Sequence, residues 1–137
     1  MIKSYVLDAC ALIAFLRNES GADTVTRLLR DAESGNAMMY MNRLNLLKVY
    51  YDAYRTDGKQ KADTEQNLIQ KLPITIKNEL NDDVFMEAGH MKANYRISLA
   101  DAVAAAEASA LNAILVTADR EFDFIERQEN ISFCWIR

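Results

Sequence analysis

The most constraining feature of this sequence is the stretch from Ile2 to Ala11, IKSYVLDACA, which predicts a buried strand that ends on a carboxylate. β-Branched, aromatic and aliphatic residues lead directly to Asp8, and the apolar residues after it predict a helix. In an open α/β sheet, ligands bind outside the carboxyl ends of the strands. Asp8 would lie at that edge, either as part of a site or only as the N-cap of the next helix.

The length and composition are typical of a single soluble domain over residues 1–137. Half of the residues are hydrophobic and 26% are charged, and one proline and four glycines leave little room for a linker. No apolar run predicts a signal peptide or a membrane span, so we expect a cytoplasmic protein. The net charge of −4 does not indicate a nucleic-acid binder, although a local patch could still bind one.

The cysteines and the histidine do not predict a zinc site. Cys10 and Cys134 are far apart, and His90 has no other Cys or His beside it, whereas structural zinc sites use close ligand pairs. We expect the cysteines to be reduced core residues and His90 to be a partly exposed helix residue.

The chain alternates strands with helices, which predicts an α/β protein with a parallel sheet and helices on both faces. Asn42 and Ser98 are predicted helix caps. The predicted strands after the first are 37–41, 72–76, 113–117 and 131–136. The predicted helices are 10–17, 22–33, 43–55, 59–71, about 82–94, 99–111 and about 121–127.

Two further carboxylates have contexts like that of Asp8. Asp101 lies in the first turn of an alanine-rich helix that is apolar on nearly every side, and Asp119 follows the fourth strand. A charge in such a helix must be paired or bound to a metal. Three carboxylates at one sheet edge would repel each other, and a divalent cation such as Mg²⁺ removes that repulsion. The alternative is that Asp101 and Asp119 are ordinary first-turn acids, which the helix dipole favours.

Four stretches resemble, in family order, the motifs of PIN-domain ribonucleases, and most closely those of VapC-like toxins of toxin–antitoxin pairs. They are VLDACALIAFL, MNRLNLLKVYY, ISLADA and LVTADREF. The resemblance implies a Rossmann-like sheet of strand order 3-2-1-4-5 and an endoribonuclease that uses Mg²⁺ or Mn²⁺. It implies an antitoxin partner, an RNA substrate and a homodimer. It also matches Asp8, Asp101 and Asp119 to the metal-binding acids, and Thr117 to a hydroxyl residue beside the last acid.

One position departs from the family pattern. The helix after the second strand usually carries a glutamate, in a pattern like N-L-A-E-V, and here that segment reads Asn45-Leu46-Leu47-Lys48-Val49. Three aspartates and one lysine change the charge of the four site positions from −4 to −2. Lys48 could be a change that disarms a toxin, a natural feature of a protein that only binds, or a replacement for the charge of a metal. Asn45, like Thr117, is a candidate for orienting water or phosphate.

Lys48 also carries a prediction about metal binding. Two unit charges about 4 Å apart interact by roughly 4 kcal/mol at a surface-like effective dielectric, so a lysine beside the cation would oppose its binding. We therefore predict that Lys48 forms a salt bridge with at least one of the three aspartates and that it occupies the place of the metal. The alternative is that Lys48 pairs with Asp52, one helical turn further on.

Other phosphate-handling α/β families match these motifs less well. A haloacid-dehalogenase-like phosphatase requires an acid two residues after the first aspartate, where this chain has Cys10. A response-regulator receiver requires a lysine after its last strand, where this chain has Arg137. The chain also has no glycine-rich phosphate loop after the first strand.

An antitoxin would cover the cleft and the apolar faces of the early helices. Tyrosines on the Lys48 helix are further candidates, because tyrosine is enriched at interfaces. The candidate contacts are Leu12, Phe15, Leu16, Val25, Leu28, Leu29, Tyr50, Tyr51 and Tyr54, and core packing is the alternative for most of them.

Overall fold

A computed structural model describes residues 2–137 and contains a five-stranded parallel sheet. The strand order is β3-β2-β1-β4-β5, so the predicted order and the central position of β1 are confirmed. The strands are β1 Lys3–Leu7, β2 Ala37–Asn42, β3 Thr75–Lys77, β4 Ile114–Thr117 and β5 Phe133–Trp135. The helices are α1 Ala9–Leu16, α2 Ala22–Glu33, α3 Arg43–Asp57, α4 Lys59–Ile69, α5 Asp82–Asn94, α6 Leu99–Leu111 and α7 Asp123–Gln128, the last preceded by a 3-10 turn at Arg120–Phe122.

Helices cover both faces of the sheet because successive side chains of a strand point in opposite directions. Leu7 packs into a cluster with residues of α1 and α2, whereas the neighbouring Val6 packs into a second cluster with residues of α6 and α7. Helix α6 contacts β1, β2 and β4 and is buried over most of its length, as its alanine-rich sequence predicts. The prediction of helices on both faces is confirmed.

Local signals in the sequence define most element boundaries. Ser98 caps α6 by accepting a hydrogen bond from the backbone N–H of Asp101, and Asn42 caps α3 in the same way. The largest difference concerns β3, which begins at Thr75 rather than at residue 72. The N–H of Ile74 donates to the carbonyl of Leu72, so the residues around the proline form a tight turn instead of a ladder.

The structure corrects most of the predicted antitoxin contacts. The aliphatic stripes of α1 and α2 face the sheet, so four of these residues lie in the core and two more pack against it. Tyr51 and Tyr54 are 45% and 47% exposed and stay available to a partner, whereas Tyr50 is half-buried and donates to Asp63. The core residues are Leu12, Val25, Leu28 and Leu29, and the two packed against them are Phe15 and Leu16.

Cys134 and His90 lie apart from the acids at the carboxyl ends of the strands, whereas Cys10 lies close to them. Cys10 is on α1, two residues after Asp8, and Cys134 is in β5; both are half-buried free thiols. His90 is exposed on α5, and its Nε2 lies 3.0 Å from the carboxylate of Glu129. Among the helices of residues 2–137, none is long and apolar enough to cross a membrane.

Candidate metal centre

Three structural elements bring the predicted acids to the carboxyl edge of the sheet. Asp8 follows β1 directly, and Asp119 comes two residues after the end of β4. Asp101 lies in the first turn of α6, which packs across β1, β2 and β4. The negative charges of Asp101 and Asp119 both act on Asp8, so the structure brings all three predicted aspartates into one neighbourhood.

Asp8 is the most deeply buried of these acids. Its side chain is fully inaccessible, and it accepts a hydrogen bond of 2.8 Å from the backbone N–H of Ala11, so it is the N-cap of α1. Burial raises the pKa of Asp8 to about 7, with a smaller contribution from the two neighbouring aspartates, while its hydrogen bonds oppose the rise. Asp8 is therefore both a cap and a member of the acidic edge.

The hydroxyl group of Thr117 connects two of the acids. It donates to Oδ2 of Asp8 at 2.5 Å and accepts the backbone N–H of Asp119 at 2.9 Å. Thr117 is completely buried at the end of β4. One hydroxyl group thus fixes the loop carrying Asp119 relative to Asp8, which makes Thr117 a positioning residue.

Asp101, Asp119 and Glu121 form a cluster that could hold a metal ion. One carboxylate oxygen from each lies within 4.8 Å of the others, and Asp8 is not a member of this set. Burial raises the pKa of Asp101 to about 6; the positive charge of Lys48 opposes this rise, and the charge of Asp119 adds to it. Mutual repulsion of this kind is what a divalent cation with oxygen ligands would relieve.

Glu121 is the member of the cluster that the sequence prediction missed. The Oδ1 atom of Asp119 accepts the backbone N–H of Glu121 at 3.0 Å, so the chain turns tightly between the two residues. An aspartate commonly bonds the backbone two residues further on in this way. The sequence Asp119-Arg120-Glu121, directly after a strand, was the signal that could have identified it.

Asn45 links the beginnings of two helices at the site. Its Oδ1 accepts the N–H of Ala9 at 3.2 Å, and its Nδ2 donates to the carbonyl of Ala100 at 3.0 Å. The residue is fully buried in the first turn of α3. These contacts hold the segments that carry Asp8 and Asp101, so the structure favours positioning over direct contact with water or phosphate.

The predicted salt bridge of Lys48 is wrong. Over residues 2–137, no carboxylate lies within ion-pair distance of its ammonium group, although its charge does act on Asp101. The alternative partner, Asp52, is 3.0 Å from Arg17, which directly follows α1, and 3.8 Å from Arg55. Lys48 is instead half-buried in a small pocket beside the beginning of α6.

The fold and the site together define an α/β protein that gathers acidic residues at the carboxyl edge of a parallel sheet. The family model described as "PIN domain" matches residues 5–128, and the chain therefore belongs to the PIN domain family. Comparison of the sequence with curated proteins finds no match.

Several solved structures share this fold. VapBC2 from Rickettsia felis, bound to a DNA fragment from its promoter, is similar with a TM-score of 0.72 and 18% identity over 96% of this chain and 97% of that one. A toxin–antitoxin complex from Klebsiella pneumoniae gives 0.67 and 16% over 97% and 98%. VapC20 of Mycobacterium tuberculosis, a sarcin–ricin loop cleaving toxin, gives 0.68 and 13% over 88% and 94%. At these identities the similarity shows the fold alone.

Proposed function

We propose that this chain is a metal-dependent endoribonuclease toxin, with Mg²⁺ or Mn²⁺ held by Asp101, Asp119 and Glu121. The observation that carries the proposal is the convergence of three carboxylates at one point of the sheet edge in a PIN-domain protein. An all-oxygen donor set suits either ion. When bound, the metal would lower the pKa of a coordinated water molecule and stabilise negative charge on the phosphate.

The protein's own residues would then have separate roles. Asp101, Asp119 and Glu121 supply ligand oxygens, while Asp8, which the sequence predicted as a ligand, stays a candidate from beside the cluster. Each oxygen of Asp8 already accepts one hydrogen bond, from Ala11 or from Thr117, and keeps a second lone pair with which it could bind the ion. Thr117 and Asn45 would hold the acids in place.

The alternative function is a protein that binds RNA or an antitoxin but does not cleave RNA. Lys48 favours this alternative, because it replaces the glutamate of the family pattern and its positive charge acts on Asp101. The two functions differ in whether the acidic cluster takes part in cleavage of RNA.

Cleavage assays would separate the two functions. We expect the purified protein to cleave RNA when Mn²⁺ is added, and EDTA to stop the reaction. The E121Q variant should bind Mn²⁺ and cleave RNA at least about tenfold more weakly, because it loses one charged ligand. Glu121 is exposed, so its replacement should leave the fold intact.

E33Q is the matched control, because Glu33 is an exposed glutamate at the end of α2, outside the cluster. Absence of cleavage both by the wild-type protein and by the K48E variant, which restores the acid of the family pattern, would leave only the binding function. Isothermal titration calorimetry with Mn²⁺ gives the affinity independently of cleavage.

For the protein partner, we propose an antitoxin that covers the cleft from the side of α3. Tyr51 and Tyr54 supply exposed aromatic surface there, and Tyr51 lines the same small pocket as Lys48. The similarity in fold to a toxin–antitoxin complex from Klebsiella pneumoniae supports such a partner.

We also propose that a second copy of the chain packs against the apolar groove between α3, α5 and α6. The groove has a volume of about 1190 Å³ and lies beside the candidate site, since Leu44, Leu47 and Leu99 line both it and the pocket of Lys48. Exposed apolar surface of this extent is typical of an interface. Its exposed large apolar side chains are Leu47, Leu80, Phe85, Met86 and Leu99, which are 52–69% exposed.

Substitution of Phe85 should weaken this dimer. Phe85 is 61% exposed within the groove, so F85Q should raise the dimer dissociation constant by about tenfold or more, in line with loss of a central aromatic contact. Phe124 on α7 is 59% exposed but does not line the groove, so F124Q is the matched control and should have no effect. Analytical ultracentrifugation measures both, and a monomeric wild-type protein would contradict the proposal.

A further inference from the structure

Lys48 is a basic residue that the proposed metal site does not use. It lies on α3, three residues after Asn45, and therefore on the same side of the helix. Because Asn45 is bonded to Ala9 and Ala100, this side of α3 is held against the beginning of α6. The position of Lys48 near the beginning of α6, the helix that carries Asp101, thus follows from these two hydrogen bonds of the Asn45 side chain.

The ammonium group of Lys48 has no acidic partner within ion-pair distance in residues 2–137. The acid at the next helical turn, Asp52, is bonded to Arg17 instead. Lys48 is half-buried and lines a pocket of about 210 Å³ together with Tyr51, Ser98 and Ala100. A half-buried cation without a carboxylate partner, in an open pocket, is available to an anion from outside the protein.

Charge balance at the cluster indicates which anion would need it. Three carboxylates and one divalent cation leave one net negative charge, which repels an RNA phosphate. Asp8, beside the cluster, adds to this negative charge when it is ionised, and the positive charge of Lys48 would offset part of the total. The positive charge of Lys48 already acts on Asp101, a member of the cluster.

We infer that Lys48 binds a phosphate oxygen of single-stranded RNA beside the Asp101–Asp119–Glu121 cluster, in place of a further metal ion. The inference rests on the proposed RNA substrate but does not require cleavage. It differs from the expectation that Lys48 occupies the metal site, because the ammonium group faces substrate and leaves the carboxylates free for the ion.

Binding of a short fluorescein-labelled single-stranded RNA in EDTA tests the inference by fluorescence anisotropy over a range of salt concentrations. K48Q should weaken binding by about tenfold, the usual effect of losing a charge-assisted hydrogen bond. It should also reduce the slope of log affinity against log salt by about 0.7, the value for one phosphate contact on a single strand. K48R should retain most of the affinity, because arginine also binds phosphate.

K61Q is the matched control, because Lys61 is exposed near the beginning of α4, at the end of α3 away from the sheet edge. It should change neither the affinity nor the slope. Equal RNA affinity and slope for K48Q and the wild-type protein would overturn the inference.

Calorimetric titration with Mn²⁺ in the absence of RNA separates this inference from the proposed function. If Mn²⁺ binds and RNA is cleaved while K48Q binds RNA like wild type, the assignment of Lys48 alone is wrong. If K48Q loses RNA affinity as expected but no variant binds Mn²⁺, the phosphate contact holds and the metal-dependent function is wrong.

Discussion

Replacement of Asp101 by asparagine should stabilise the metal-free protein and, at the same time, remove its metal binding. Asp101 is 3% exposed, and burial raises its pKa to about 6, with Asp119 adding to the rise and Lys48 opposing it. Keeping this group ionised at about pH 7.5 costs about 3 kcal/mol of folding free energy, because its pKa rises by about two units from 3.8 and one unit corresponds to about 1.4 kcal/mol. Asparagine has no charge and avoids this cost.

The sign of the pH dependence follows from the same shift. Between the ordinary pKa of 3.8 and the folded value of about 6, the native state of Asp101 binds its proton more tightly than the unfolded state does. The free energy of unfolding of the metal-free protein therefore falls as the pH rises through this window. Asp8, with a pKa of about 7, extends the window upward. D101N should have a shallower slope between about pH 4 and 6, where only Asp8 still contributes, and an unchanged slope between about pH 6 and 7.

Urea denaturation in EDTA at several pH values measures the stability effect, and calorimetry with Mn²⁺ measures the loss of affinity. A direct ligand should cost at least as much as residues that only orient ligands, on the order of 100-fold. D82N is the control, because Asp82 is an exposed acid in the first turn of α5 and should change little in either experiment. A less stable D101N protein in EDTA at neutral pH would show that burial of this charge is not what destabilises the site.

The fold could be predicted because its signals are local. The apolar run before Asp8 identified the central strand, and the alanine-rich sequence after Ser98 identified a helix that is buried on nearly all sides. Side-chain caps then set the helix boundaries, since each cap involves residues only two or three positions apart. Strand order could not be derived from such signals and came from the resemblance to a known family.

The contacts of the site could be predicted only in part, because several depend on residues distant in sequence. Asp52 was a plausible partner for Lys48 at helical spacing, but in the structure it pairs with Arg17, which only the packing of α1 on α3 brings near. The turn that joins Glu121 to Asp119 is local, and the residue types could have indicated it. Whether Glu121 comes close to Asp101 depends on the position of α6, which carries Asp101 and which no local signal fixes.

The role of Asn45 also could not be predicted from the sequence, since the family pattern indicated that the residue is important but not what it does. Its two hydrogen-bond partners are 36 and 55 residues away in sequence, and both are backbone groups. A side chain whose polar atoms are all used in this way contributes to function by holding other residues in place. The role of Asn45 is therefore visible only once α1, α3 and α6 are assembled.

Replacement of Asn45 by leucine should consequently destabilise the protein and weaken its metal site. N45L leaves the buried N–H of Ala9 without its partner, whereas the carbonyl of Ala100 can still accept a bond within α6. We expect a loss of about 2–3 kcal/mol in the free energy of unfolding, the cost of an unpaired buried donor and of the lost bond between helices. The folded fraction should bind Mn²⁺ about tenfold more weakly, as for residues that orient metal ligands.

N67L provides the matched control, because Asn67 is exposed on α4 and the same substitution there should change stability by no more than about 0.5 kcal/mol. Urea denaturation gives the stability of both variants, and calorimetry under fully native conditions gives their Mn²⁺ affinities. Equal stability of N45L and wild type would contradict the predicted cost of leaving the buried N–H of Ala9 without a partner. A destabilised N45L protein with wild-type Mn²⁺ affinity would restrict Asn45 to a structural role, because the loss of its bonds to Ala9 and Ala100 would then leave the geometry of the acidic cluster unchanged.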